Sequence, residues 1–222
     1  MMNKFVYSGP DAFMGVSTAC VSDALDTFGI NGGLAGLGPL GPGMSLVGPA
    51  YTLRFEEVSE GEMAQAGEYI DDVPLGSVIV IANEGRRFCT VWGDLLTHAA
   101  QLNGIRGTVI DGCCRDATAI LKLDYPLFSV GTYMKSGKNR VKLVCKDEPI
   151  DVSGTVVNPG DIVLADDSGV VVIPKTMAEQ VYLRVKEIEE MENNILCDLK
   201  NGVTMKQSRI THQYNKYALK TN

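Results

Sequence analysis

Two hydrophobic periodicities meet in GDLLTHAAQLNGIRGTVIDGCCRDATAI, residues 93–120. The first part, GDLLTHAAQLNG (93–104), recurs at helical spacing and is closed by Gly104, while GTVIDG (107–112) is a short continuous apolar run of the kind found in buried strands. A second buried strand is expected upstream at SVIVIA (77–82). Downstream, DATAILKLD (116–124) reads as a short helix before another strand at LFSVG (127–131). Strands alternating with helices at this spacing imply a parallel sheet with crossover helices. The loops after residues 82 and 111 then share one sheet edge. In open α/β sheets that edge, at the carboxyl ends of the strands, is where ligands bind. Arg115 and Asp116 belong to it, and so does the helix start Gly93-Asp94-Leu95-Leu96, whose first amides lack intrahelical partners and can receive a carboxylate.

Outward from this centre, STACVSDALDTFG (17–29) reads as a helix capped by Ser17 or Thr18 and stopped by Gly29. The glycine-rich INGGLAGLGPLGPGMSLVGPA (30–50) lacks the GK[ST] ending of a phosphate-cradling loop and reads as a long irregular crossing. GPAYTLRF (48–55) is a candidate strand and EMAQAGEYIDDV (62–73) a candidate helix. Residues 142–174 read as an antiparallel unit, broken at Ser153-Gly154, at Asn158-Pro159-Gly160-Asp161 and at Asp167-Ser168-Gly169. A long helix is expected after Pro174, running to about Lys200 before Gly202. Val181, Val185, Ile188, Ile195 and Leu199 would give it an apolar stripe bordered by Glu187, Glu189, Glu190 and Glu192. The whole chain, 1–222, is expected to form one domain, with the C-terminal helix and tail beginning at about residue 175.

Composition narrows the function classes. Hydrophobic residues at 45% and charged residues at 21% are the mixture of a soluble globular protein. A net charge of −7 with 20 Lys and Arg argues against nucleic-acid binding, so any anionic ligand must be held by local charge. The six cysteines show no CxxC spacing and are expected as reduced thiols. No run of about 18 apolar residues appears, and MMNKFVYSGPDAF (1–13) has no apolar h-region, so neither membrane insertion nor secretion is expected and a cytoplasmic location follows.

An Arg-Asp pair in a loop can be a simple surface ion pair. At this edge, Asp116 offers an oxygen ligand to a hard cation such as Mg²⁺, with Arg115 as fixed positive charge beside it. His98 and His212 are the only histidines, and nothing in the sequence brings them together. Cys113-Cys114 suits volume filling better than thiolate chemistry, and no serine has the GxSxG context of a hydrolase.

Taken together, STACVSDALD, LVGPAYTL, WGDLL, GIRGTVIDGCCRD and VNPGDIVLADDSGVVVIP resemble the family of 4-hydroxy-4-methyl-2-oxoglutarate/4-carboxy-4-hydroxy-2-oxoadipate aldolases and the regulator of ribonuclease activity A. The aldolase branch is marked by an acid, twenty intervening residues and Arg-Asp. Asp94 and Arg115-Asp116 reproduce that spacing, whereas the regulator branch has Gly at the first position and acids soon after Arg-Asp, where this chain has Ala117-Thr118-Ala119-Ile120. The resemblance implies an α/β fold, a swivelling β/β/α domain with a central parallel or mixed sheet, flanking helices and a C-terminal helix. It implies a class II pyruvate aldolase acting on a small oxo acid, with oxaloacetate decarboxylase activity, a divalent metal cation (Mg²⁺ or Mn²⁺), and a homotrimer or homohexamer with shared sites. Carried over, Gly93, Asp94, Leu95 and Leu96 would bind the substrate carboxylate through main-chain amides. Arg115 would hold the keto oxygen, Asp116 the metal, and Asp94 a metal-linked water for proton transfer. Glu192 would contribute from a neighbouring subunit. The alternatives are a non-catalytic ribonuclease regulator and a lyase of the same scaffold acting on another oxo or sugar acid.

Overall fold

The computed structural model describes residues 5–59, 63–64 and 68–217. Helix α1 (Thr18–Asp26) starts where Ser17 Oγ accepts from Cys20 N at 3.1 Å. A carboxylate from a distant strand strengthens this cap. Asp166 accepts from Thr18 N at 2.8 Å and from Thr18 Oγ1 at 2.7 Å. The glycine-rich stretch that follows is an irregular crossing, as expected. Its backbone lies directly on a strand: Val172 N donates to Gly32 O at 2.8 Å, and a Cβ on Gly32 would stand 2.3 Å from Val172 O. Only glycine fits there.

The crossing contains the short strand β1 (Gly38–Pro39) and leads into β2 (Leu46–Glu57), which starts two residues earlier and ends two residues later than the sequence suggested. Of the helix expected over 62–73, residues 62 and 65–67 lie outside the described residues, and the described part has only a 3-10 turn at Ile70–Asp72. Strand β3 (Val78–Trp92) corrects a second boundary, because it does not stop at Ala82. It continues through a bulged stretch in which Ala82, Arg86, Thr90 and Trp92 pair successively with Asp111, Gly112, Cys113 and Cys114. Bulges of this kind re-aim side chains and concentrate near active sites. The charged residues Glu84, Arg86 and Arg87 obscured the strand in the sequence, and its true end moves the carboxyl edge of β3 to Trp92.

Helix α2 (Asp94–Leu102), β4 (Gly107–Cys114), α3 (Ala117–Lys122) and β5 (Leu127–Thr132) follow the expected alternation. Strands β6 (Val141–Lys146), β7 (Ile150–Val152), β8 (Thr155–Val157), β9 (Ile162–Asp166) and β10 (Gly169–Ile173) turn at the predicted breaks. The main sheet has the order β1-β5-β4-β3-β2-β9-β10, with β6 also pairing β2. Strands β2 to β5 form a parallel centre, and the remaining pairings are antiparallel, including the separate β7-β8 hairpin. The result is a mixed α/β architecture.

Every residue of β4 is buried, which explains why its run is apolar without alternation. Val80 and Val109 pack on one face with the β7-β8 residues Ile150, Val152 and Val157, while Ile81 and Ile110 pack on the other with Trp92 and Tyr125. Helix α4 (Ala178–Lys200) lies with α1 against β9 and β10, burying Val181, Val185 and Ile188 beside Ile162, Leu164 and Ile173. The first part of its stripe, Val181 to Ile188, therefore serves the chain's own sheet. A further helix in the tail, α5 (Met205–Thr211), is folded back on α4 by Asp198, which accepts from Ser208 Oγ at 2.8 Å and contacts His212 Nε2 at 2.9 Å. Among the described residues no helix is long and apolar enough to cross a membrane.

Candidate active site

The carboxyl ends of β3 and β4 are tied together. Trp92 pairs with Cys114, and Arg115 N donates to Trp92 O at 3.0 Å. The loops that follow are consequently side by side, Gly93 opening α2 and Arg115-Asp116 opening α3. A buried relay fixes the first of them: Trp92 Nε1 donates to Thr97 Oγ1 at 2.8 Å, and Thr97 Oγ1 donates to Gly93 O at 2.9 Å. With Trp92 also stacked on Tyr125 at 6.1 Å, the start of α2 cannot drift relative to the sheet.

Asp116 adopts φ 58° and ψ 31°, a left-handed conformation that Asp tolerates better than most residues. Its Oδ2 lies 3.3 Å from Asp94 N and 3.3 Å from Arg115 Nε. Both contacts are long, and the Arg115 and Asp116 side chains are 38% and 36% exposed, so they are held together yet remain open to a ligand. Gly93 is extended, at φ −158°, which any residue can adopt. A side chain is excluded by contact instead. A Cβ there would stand 2.7 Å from Asp116 Oδ2 and 3.3 Å from Arg115 Cγ and Nε.

The structure thus brings together Gly93, Asp94, Arg115 and Asp116. It also qualifies the amide cradle. Leu95 N already donates to Asp94 Oδ1 at 2.8 Å and Asp94 N to Asp116 Oδ2, so an incoming carboxylate must replace side-chain oxygens there. Leu95 is 77% exposed, whereas Leu96 packs partly on the core. Glu192 is not part of this constellation within one chain. It sits on α4, where burial first, then Asp23 and Glu189, push its carboxyl above the usual range. His98 is exposed on α2 and His212 is engaged by Asp198, so the two histidines do not meet. All six cysteines are free thiols. Burial raises Cys113, against the pull of Arg87, and pushes Cys114 up to about 11, which keeps the pair protonated and unsuited to thiolate chemistry.

No trio of His, Cys, Asp or Glu that could enclose a metal occurs among the described residues. The donors present fit a hard divalent cation held by one carboxylate, Asp116, its remaining positions filled by water and substrate oxygens, which is how Mg²⁺ commonly binds. They do not fit a closed cage. Sequence reasoning flagged Gly93 only as an amide donor and did not single out Thr97. The contact of Gly93 with Asp116 depends on the β3-β4 register, whereas the Trp92-Thr97-Gly93 relay is local, and a Gly directly before a helix with a Thr four residues on was its available signal.

The family model described as RraA-like, aldolase/RraA, matches residues 18–172. DlpA of Legionella pneumophila is 45% identical over 202 residues, which is 90% of this chain and 33% of DlpA, so the chain spans about a third of that relative's length. A protein of Halalkalibacterium halodurans named "Putative 4-hydroxy-4-methyl-2-oxoglutarate aldolase" is 33% identical over 79% of this chain and 80% of its own. The crystal structure of Streptomyces coelicolor RraAS2, titled an unusual member of the RNase ES inhibitor RraA protein family, superposes with a TM-score of 0.76 at 30% identity, covering 85% of this chain and 98% of that one.

Proposed function

The chain belongs to the RraA-like, aldolase/RraA family, and from that premise we propose that it is a divalent-cation-dependent lyase that cleaves a 4-hydroxy-2-oxo acid, such as 4-hydroxy-4-methyl-2-oxoglutarate, to pyruvate. One observation carries the reading: Asp94 N, Arg115 Nε and the Asp116 carboxylate meet within 3.3 Å at the carboxyl edge of a parallel sheet. In the retro-aldol step the 4-hydroxyl loses its proton, the C3–C4 bond breaks as the 4-oxygen becomes a carbonyl, and its electron pair moves through C3 to the 2-oxo oxygen. The resulting enolate is protonated at C3 to give pyruvate. Arg115 faces the 2-oxo oxygen, where a fixed donor can stabilise developing charge by roughly 3 to 4 kcal/mol. The α2 amides hold the 1-carboxylate, and Asp94 orients a water that removes the 4-hydroxyl proton. A Mg²⁺ or Mn²⁺ ion on Asp116, when bound, would supply Lewis-acid stabilisation of the same oxygen.

Loss of CO₂ from oxaloacetate creates the same enolate, so decarboxylation should accompany cleavage. Assembly as a homotrimer or homohexamer belongs to this reading, because Glu192 can reach such a site only from a neighbouring subunit. The test is pyruvate release from oxaloacetate with Mg²⁺, with EDTA, and with EDTA followed by excess Mg²⁺. Activity should vanish with the chelator and return with the ion; full activity in EDTA removes the proposed chemistry. A second reading, a non-catalytic ribonuclease regulator, draws on the similarity to RraAS2, and it predicts no pyruvate above the protein-free rate under any of these conditions.

A further inference from the structure

The sheet edge that carries Arg115 presents a second guanidinium with no anion of its own. Arg87 stands in the bulged stretch of β3, and its neighbour Arg86 is fully engaged, by Phe55 O, Asn83 Oδ1 and Glu84 Oε2. Arg87 is different. It is exposed, and among the described residues no hydrogen bond or ion pair holds it. Its side chain reaches across β4 toward β5, where Nη1 lies 3.7 Å from the position a Cβ would take on Gly131. Gly131, at φ +156°, leaves the space beneath it free of a side chain. The Cys113 thiol of β4 lies close enough to feel its charge.

Alternation along β4 relates this guanidinium to Arg115. Val109 packs on one face of the sheet, and Ile110 and Cys114 on the other. Cys113 therefore faces with Val109, and Arg115 follows Cys113 on that side. Arg115, the first residue past β4, is two positions on from Cys113, a step of about 7 Å. Arg87, beside Gly131 and its strand partner Cys113, thus lies on the same side of the sheet as Arg115, in a chain whose net charge is −7. Arg115 is partly neutralised by Asp116, whereas Arg87 awaits a partner.

We infer that Arg87 selects dicarboxylic substrates, its planar fork receiving the carboxylate at the far end of a 2-oxo acid whose near end lies on Arg115 and the α2 amides. A forked guanidinium pairs with a carboxylate through two parallel hydrogen bonds, which a lone ammonium cannot reproduce. This assignment rests on the orientation given to the substrate above, and its test does not require turnover. Calorimetric titration of the Mg²⁺-loaded protein should use 2-oxoglutarate, which has a far carboxylate and no 4-hydroxyl to cleave, and 2-oxopentanoate, which has the same chain length without that carboxylate.

The parent should bind 2-oxoglutarate more tightly. Arg87→Gln should weaken 2-oxoglutarate roughly tenfold to a hundredfold, the range of a charge-assisted hydrogen bond, and leave 2-oxopentanoate unchanged. Arg87→Lys should recover part of the loss. Because the residue is exposed, unchanged thermal unfolding will show that each variant is folded. Equal weakening of both ligands, or of neither, overturns the assignment. A parent that discriminates between the two acids and yet releases no pyruvate from any 4-hydroxy-2-oxo acid keeps Arg87 in its role while refuting the lyase reading. A parent that binds neither acid overturns both.

Discussion

Replacing Gly93 by alanine adds a methyl group 2.7 Å from Asp116 Oδ2, and ordinary van der Waals contact begins near 3.4 Å, so the carboxylate oxygen must retreat by about 0.7 Å. The backbone itself should not resist, since φ −158° and ψ −169° are open to any residue. Fewer unfolded conformations for alanine than for glycine should even contribute about 0.4 to 1 kcal/mol of stability. What yields is the Asp116 carboxylate, the end of a short side chain, together with the Arg115 stem 3.3 Å away. The two 3.3 Å contacts that Oδ2 makes, to Asp94 N and to Arg115 Nε, are already at the limit of hydrogen bonding and cannot survive such a shift. Misplacement of catalytic groups on the ångström scale can lower rates by about a hundredfold. Gly93→Ala should therefore unfold within a few degrees of the parent and lose about 10²-fold in kcat/KM for pyruvate release from oxaloacetate. Thermal denaturation and a coupled pyruvate assay on the same preparation measure both quantities. A variant that keeps its rate to within about threefold, a difference worth about 0.7 kcal/mol, would show that the Gly93-Asp116 contact plays no part in the chemistry.

Asp94→Gly should abolish cleavage of 4-hydroxy-4-methyl-2-oxoglutarate and spare part of the oxaloacetate decarboxylation, because only the aldol substrate has a hydroxyl proton to remove. If Asp94 merely supports the start of α2, worth about 0.3 to 1 kcal/mol, the two rates would fall slightly and in parallel. Arg115→Lys should be nearly as damaging as Arg115→Ala, since an ammonium lacks the forked geometry; a Lys variant within about threefold of the parent would reduce the role to charge alone. The hydroxyl of Ser208 first, and then His212, hold the Asp198 carboxyl below the usual range. A depressed folded value means this contribution is fully present above the unfolded value of about 3.9 and is lost as pH falls through the folded one. Hydrogen exchange of the α5 amides, measured relative to those of β4, should accelerate only in that acidic window. Asp198→Asn should show the fast exchange at neutral pH, and indifference of α5 to both changes would refute the clasp.

The amino-acid order by itself determined the alternation of elements, because a buried parallel strand such as 107–112 is apolar throughout and an amphipathic helix such as 94–102 is not. Turn chemistry at Ser153-Gly154 and Asp167-Ser168 likewise marks hairpins whatever the surroundings. The spacing of Asp94 from Arg115-Asp116 was equally legible, being a property of the chain. The length of β3 was not, because its last ten residues carry exposed charges that mask a strand stabilised by pairing with β4. Nor was the short α5 visible, since a helix of seven residues has little stability of its own and depends here on Asp198, ten residues away from Ser208. The contacts at the candidate site belong to the same class. Gly93 and Asp116 are more than twenty residues apart, and only the β3-β4 register places the missing Cβ of one against the carboxylate of the other. Local periodicity is written in neighbouring residues, whereas register across a parallel sheet is set by the packing of both its faces, and it is register that gives the site its geometry.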